Sequence, residues 1–232
     1  MTTRPCTFPQ IASRPYNWPF DGQFSPNDTA LIIIDMQIDF CGQDGWCAQC
    51  QGDPMPMAAV IEPTRRLLEA MRAAGFWVVH TREGHREDLS DLAENKRWRS
   101  ARFNAEIGTL GPCGRMLTRG APGWEIVPEL TPLEGEPVVD KPGKGSFYAT
   151  DLEHILRTRG IRNLIFAGVT TDCCVHTTMR DANDRGFECM LIEDCCAATL
   201  PHNHASIMSF TQMGHGIFGT VAHSDALIAA IS

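Results

Sequence analysis

Residues 30–35 read ALIIID, an unbroken apolar run closed by a carboxylate, the pattern of a strand covered on both faces. Over 56–74, Met57, Val60, Ile61, Leu67, Leu68 and Met71 recur near helical spacing and Gly75 closes the segment, which predicts a helix. Further strands are predicted at 76–81 (FWVVHT), 137–140, 163–169 (NLIFAGV) and 188–192 (ECMLI), with a short one near 217–221. Helices are expected between them around 151–159, 174–185 and 203–213, and a last one at the C-terminus. About six strands alternating with helices predict an α/β chain: one domain, a mainly parallel six-stranded sheet with helices on both faces, a Rossmann-like three-layer arrangement. In such sheets ligands bind beyond the carboxyl ends of the strands.

The first 27 residues, rich in proline and polar groups, break this pattern and are expected to form an irregular arm ahead of a domain over 28–232. Tyr16, Trp18 and Phe20 give the arm apolar groups that would pack on a neighbouring subunit or fold back on their own domain. Residues 82–132 form a polar stretch with glycine, proline and a few possible helical turns, longer than a connector needs, as expected of a binding loop or lid. No internal repeat appears, and 232 residues suit a single domain.

Charge narrows the partners. With 20 Lys+Arg against 28 Asp+Glu the net charge is −8, which repels phosphate backbones and argues against nucleic acid. No apolar run approaches the ~18 residues needed to span a bilayer, so no membrane partner is expected. The N-terminal residues lack an apolar signal-peptide core, and the reading is a cytoplasmic, reducing setting. The ten cysteines there divide among packing, metal ligation and nucleophilic chemistry.

Asp35, Lys141 and the Cys173-Cys174 pair fall at or just after the ends of predicted strands, so one sheet edge gathers them despite their distance in sequence. Singly, each has an ordinary reading: a cap, a solvated strand end, a small core residue. Together they supply what a thiol nucleophile needs. A thiolate is favoured at a helix start and beside an ammonium, here Lys141. A carboxylate whose pKa burial raises toward neutrality, here Asp35, can take the thiol proton and return it to a leaving amine. Peptide N–H groups at the same turn can donate to an oxyanion, and the chemistry implied is acyl transfer through a thioester.

The segments LIIIDMQIDF, VVDKPGKGSFYATDLEHILRTRGIRNLIFAGVTTDCCVHTTMRDANDRGFE and LIEDC resemble the isochorismatase-like cysteine hydrolase superfamily from about Asp28 onward. HTREGH, NKRWRS, GPCGR and TRGAPGWEIVPEL are similar to biuret amidohydrolases and their ureide-hydrolysing relatives. The resemblance implies an amidohydrolase with Asp35 as base, Lys141 as the stabilising cation and Cys174 as nucleophile, Cys173 filling a variable position. It also implies a cis peptide between Val169 and Thr170, an oxyanion hole built from the backbone N–H groups of Cys173 and Cys174, no cofactor, and a homo-oligomer, dimer or tetramer. The expected substrate is a small neutral ureide, first of all biuret, giving allophanate and ammonia; triuret, ureidoacrylate and N-carbamoyl amino acids are the alternatives. Resemblance and strand-end placement together suggest Phe40, Arg82, Glu83, Tyr148, Gln212 and Phe218 as substrate contacts. One position departs: the biuret-hydrolysing relatives carry glutamine where this chain has Gly214, and its own Gln212 lies two residues earlier.

Other readings of the same residues are weaker. The nicotinamidase branch carries an Asp-x-His metal motif after its first strand, whereas DFCGQDGWCAQCQGD has no histidine. Cys47-x2-Cys50 with Cys41 nearby lacks a second pair, so no metal is expected. GKGS at 143–146 lacks the leading glycine of a phosphate loop. His176 would sit near the site in a packing or supporting role. A vinyl-ether hydrolase of the isochorismatase branch would not need Cys174, and a catalytically silent binding protein would not need all three groups.

Overall fold

The structure, a computed structural model, describes residues 7–51 and 53–232. The chain opens with strands β1 (Phe8–Ile11) and β2 (Trp18–Phe24), then β3 (Thr29–Ile34), the short helices α1 (Ile38–Cys41), α2 (Trp46–Gln51) and α3 (Met55–Ala58), and the longer α4 (Ile61–Ala73). Next come β4 (Trp77–Glu83), α5 (Glu94–Arg102), a two-residue-per-strand hairpin β5 (Leu110–Gly111) and β6 (Gly114–Arg115), and β7 (Val138–Lys141). The C-terminal half holds α6 (Leu152–Thr158), β8 (Asn163–Val169), a π-helical turn at Thr171–Val175, α7 (His176–Asp184), β9 (Glu188–Ala197), α8 (Pro201–Gly216), β10 (Thr220–Ala222) and α9 (Ser224–Ile231).

Six strands form one sheet in the order β10-β9-β8-β3-β4-β7, every neighbouring pair parallel. The apolar run 30–34 is explained by position: β3 lies mid-sheet and all six of its residues are buried. Alternate side chains serve opposite layers. Leu31 and Ile33, with Val78 and Ile165, meet α4 through Leu67, Leu68 and Met71. Ala30, Ile32 and Ile34, with Leu164 and Phe166, meet α6 and α7 through Leu152, Leu156, Met179 and Ala182. Among the described residues no helix is long and apolar enough to cross a membrane.

Several expectations need correction. The described part of the arm is not irregular. β1 and β2 pair antiparallel, Arg14 bridges to Val221, and Ile11, Trp18 and Phe24 are buried in the domain's own core. Tyr16 donates to Glu188 Oε1 at 3.0 Å; only Phe20, 73 % exposed, faces outward. The helix expected over 56–74 is broken between α3 and α4. The stretch 82–132 holds more than the few helical turns expected of it: α5, the β5–β6 hairpin and two 3-10 turns, anchored by buried Ile107, Leu117, Trp124, Val127 and Leu130. β9 runs five residues beyond the expected strand. Its pairing with β8 slips between Phe166 and Gly168, and Gly168 takes φ +112° there, where a Cβ would stand 2.1 Å from Ile34 O. Only glycine lets β8 lie that close to β3.

Candidate active site

Asp35 follows the last residue of β3, Glu83 ends β4 and Lys141 ends β7, while Cys174 lies in the π turn after β8. Adjacent parallel strands bring these ends into one cluster. Asp35, Glu83 and Lys141 are fully buried and Cys174 is 4 % exposed.

Asp35 is the local anomaly of the main chain, at φ +50°, a region that costs a non-glycine residue roughly 1–2 kcal/mol. Its N–H donates to Thr81 O at 3.2 Å, and Thr81 Oγ1 donates to its Oδ1 at 2.7 Å. Oδ2 lies 2.7 Å from the Lys141 ammonium but receives no well-directed hydrogen bond. Burial pushes the Asp35 carboxyl up, against the pull of Lys141 and with Glu83 adding to the rise. Oδ2 is therefore both available to a proton and disposed to hold one.

Glu83 gathers most contacts. Its Oε1 accepts from Lys96 Nζ at 2.6 Å and from Lys144 Nζ at 2.9 Å. Its Oε2 lies 3.4 Å from Lys141 Nζ and accepts from the Cys174 thiol at 3.2 Å. Burial alone would raise this carboxyl, but Lys141, Lys144 and Lys96 override it and hold Glu83 well below the usual carboxylate range. Buried Gln37 fixes the strand end: its Oε1 accepts from Glu83 N at 2.8 Å, and its Nε2 donates to Glu83 O at 3.1 Å and Trp124 O at 2.8 Å.

Lys141 also donates to Gly143 O at 2.9 Å. Although burial opposes its charge, Asp35, Cys174 and Glu83 hold it protonated. Ligand atoms of Asp35, Glu83 and Cys174 lie within 4.8 Å of one another, a spacing a metal ion could use. The Lys141 ammonium touches both carboxylates, so the chain already supplies a cation between them.

The peptide between Val169 and Thr170 is cis. Cys174 precedes α7 rather than starting it, and the N–H groups of Cys173 and Val175 both donate to Thr170 O, at 3.1 and 3.2 Å. The Cys173 N–H, one of the expected oxyanion pair, is thus already engaged. Thr178 Oγ1 ties the turn down by donating to Cys174 O at 2.6 Å. The adjoining Cys173 sulfur, burial, and the nearby Glu83 and Asp35 push the Cys174 thiol well above the ordinary range, while Lys141 pulls it down. The half-buried Cys173 is held down by the adjoining Cys174 sulfur and by Lys144.

The expected substrate contacts divide. Glu83 sits in the cluster, but with all its acceptor positions facing groups of the chain itself. Tyr148, 67 % exposed, lines a cavity of about 440 Å³ beside the cluster with His85, Asp91, Lys96, Arg99 and Lys144. Phe40 is buried in edge contact with Trp46. Three are engaged elsewhere. Arg82 points to the other side of β4, pairs with Asp140 at 2.9 Å and Glu125 at 3.0 Å, and stacks on Trp124. Gln212 Nε2 donates to Met208 O of its own helix at 2.7 Å. Phe218 packs on His176 and Arg180. His176 is buried and neutral, its pKa lowered to about 4 by burial and by Arg180. The nine described cysteines are free thiols; Cys50 Sγ donates to Cys47 O at 3.5 Å.

Thr81, Gln37, Lys96 and Lys144 were not singled out from sequence. Lys144 and Gln37 carried a usable signal, since each lies two or three residues beyond a strand-end group of the cluster. Lys96 lies 13 residues beyond Glu83 on α5, away from any strand end, though within the NKRWRS segment.

A parallel three-layer α/β fold with a thiol, carboxylates and an ammonium at the carboxyl edge of its sheet defines a cysteine-hydrolase type of architecture. The chain belongs to the isochorismatase family: the Isochorismatase domain matches residues 29–224. It is 33 % identical over 175 residues, 74 % of this chain and 75 % of the relative, to ureidoacrylate amidohydrolase RutB of Cronobacter sakazakii. A cysteine hydrolase from Pseudomonas syringae pv. phaseolicola 1448A superposes with TM-score 0.77 at 25 % identity, covering 100 % of this chain and 98 % of that one. The N-carbamoylsarcosine amidase of Thermoplasma acidophilum gives TM-score 0.66 at 26 % identity, covering 85 % and 97 %.

Proposed function

We propose that the protein hydrolyses an amide C–N bond of a small linear ureide through Cys174. The observation that carries this reading is the buried juxtaposition of the Cys174 sulfur, the Asp35 carboxylate and the Lys141 ammonium at one sheet edge. Asp35 Oδ2 takes the thiol proton, and the thiolate attacks the ureide carbonyl. Lys141 balances the charge, and the Cys174 N–H donates to the oxyanion. The tetrahedral adduct expels ammonia, which takes the proton back from Asp35. Water, deprotonated by the same carboxylate, then cleaves the thioester-type intermediate and releases the acid and the thiol. No cofactor enters these steps.

Biuret, hydrolysed to allophanate and ammonia, is the first substrate reading and rests on the sequence resemblance. A carboxylate-bearing ureide such as ureidoacrylate is the second. The RutB relatives favour it, as do Lys96, Arg99 and Lys144 on the adjoining cavity. The Gln212 amide, bonded within its own helix, does not help the first reading. Ammonia release is to be measured with biuret, triuret, ureidoacrylate, N-carbamoylsarcosine and nicotinamide. Turnover of a ureide is expected; activity on nicotinamide alone would overturn the reading. For assembly we propose a homodimer or homotetramer, supported by exposed Phe210, Met213 and Ile217 at the end of α8. Sedimentation as a monomer would contradict it.

A further inference from the structure

Glu83 lies outside the proposed base, cation and nucleophile, yet it is the carboxylate that the Cys174 sulfur meets, at 3.2 Å. The geometry points to Glu83 as a positioning residue that keeps resting Cys174 as a protonated thiol while holding Lys96 and Lys144 beside it, so that thiolate forms only when substrate perturbs this ring of charges. This rests on the reading of Cys174 as the reacting thiol, but not on which ureide is cleaved.

The groups facing Cys174 come from every neighbouring element. β3 ends in Asp35, β4 in Glu83 and β7 in Lys141; the loop after β7 brings Lys144, α5 brings Lys96 through Glu83, and Cys173 lies in the same turn. With both carboxylates ionised, three ammoniums leave one positive charge in excess, and that excess favours a thiolate. Glu83 opposes it locally, because its anionic oxygen sits against the sulfur and accepts the thiol hydrogen. Its two oxygens also divide the cations, Lys96 and Lys144 at Oε1, Lys141 and Cys174 at Oε2. Lys144 is the movable member: its side chain is 44 % exposed and lines the cavity by which a substrate would approach. A substrate group that draws Lys144 off Oε1 toward Cys174 would bring its positive charge nearer the sulfur, coupling substrate arrival to thiol activation.

The supporting role makes two substitutions act in opposite directions, which loss of packing would not. In a Cys173→Ser background, the rate of iodoacetamide labelling of the Cys174-containing peptide is followed by mass spectrometry against pH. Glu83→Gln removes the anion and leaves three ammoniums, so the labelling midpoint falls by about one pH unit or more, roughly tenfold faster labelling at a fixed pH below both midpoints. Lys144→Gln removes a cation and moves the midpoint upward. A midpoint that stays or rises in Glu83→Gln, or moves the same way in both variants, overturns the proposal. Should Glu83→Gln not fold, the Lys144→Gln midpoint decides: upward supports, unchanged or downward overturns. Survival of turnover in Cys174→Ser would instead overturn the nucleophile, a different result from an unmoved labelling profile.

Discussion

Thr81→Val removes the bond that holds the candidate base's carboxylate. The two side chains are nearly isosteric, so the change creates little cavity; it removes the 2.7 Å bond from Thr81 Oγ1 to Asp35 Oδ1 and a longer one, 3.3 Å, that Oγ1 accepts from Asp35 N, a donor that keeps its bond to Thr81 O. Asp35 is fully buried and Oδ1 has no other hydrogen-bond donor. A hydrogen bond to a charged group contributes about 1.5–3 kcal/mol and one to a neutral group about 1 kcal/mol. The difference, roughly 0.5–2 kcal/mol, falls on the ionised form, and since 1.36 kcal/mol corresponds to one pKa unit, the already raised Asp35 carboxyl should climb further by about 0.4–1.5 units. The sign for stability follows. A carboxyl whose folded pKa exceeds its unfolded value favours folding when protonated, and that contribution is lost as pH rises through the folded pKa. Thr81→Val should therefore cost ~1 kcal/mol at pH values where Asp35 is protonated and about 1.5–3 kcal/mol where it is ionised. Urea denaturation at a series of pH values reads the difference, and the acid limb of kcat/KM should move upward alongside. A destabilisation independent of pH, with an unmoved acid limb, would refute the claim that this bond sets the ionisation of Asp35.

Other expectations concern the frame that carries the site. Trp18→Ala, at a fully buried position in the N-terminal hairpin, should destabilise by about 3–5 kcal/mol in denaturant titrations; a cost near zero would mean the hairpin is not part of the core. Gly168→Ala drives a Cβ to 2.1 Å from Ile34 O at φ +112°. About 3 kcal/mol or more should be lost, together with activity, since Ile34 carries Asp35. A fully active, stable Gly168→Ala protein would show that β8 and β3 need not approach so closely.

The sheet was legible because its signal is local. The runs 30–34 and 163–169 are continuous in sequence, and strands buried on both faces look that way wherever they occur. Asp35, Lys141 and Cys174 were legible for a related reason, since a strand end places a residue at the sheet edge by topology alone. The hairpin was not. Its strands alternate poorly, with Pro9, Pro19 and Gly22 interrupting them, and Phe24 reveals its burial only against Phe8, Trp18 and Phe76. The π turn escaped as well, because composition does not distinguish it from the first turn of α7. Glu83 was legible as a strand-end group, but not the lysines that meet its Oε1, Lys96 and Lys144, neither of which ends a strand. Arg82 fails as a substrate contact by the alternation of β4, which sends it to the face opposite Glu83, toward Asp140 and Trp124.

The central claim is that Cys174 forms the covalent bond. Wild-type, Cys173→Ser and Cys174→Ser proteins are mixed with the best ureide of the panel, quenched in acid on the turnover timescale and analysed by peptide mass spectrometry. An adduct of substrate mass less ammonia is expected on Cys174 in the wild type and in Cys173→Ser, and none in Cys174→Ser, which should be inactive. An adduct on Cys173, or undiminished turnover in Cys174→Ser, would contradict the account.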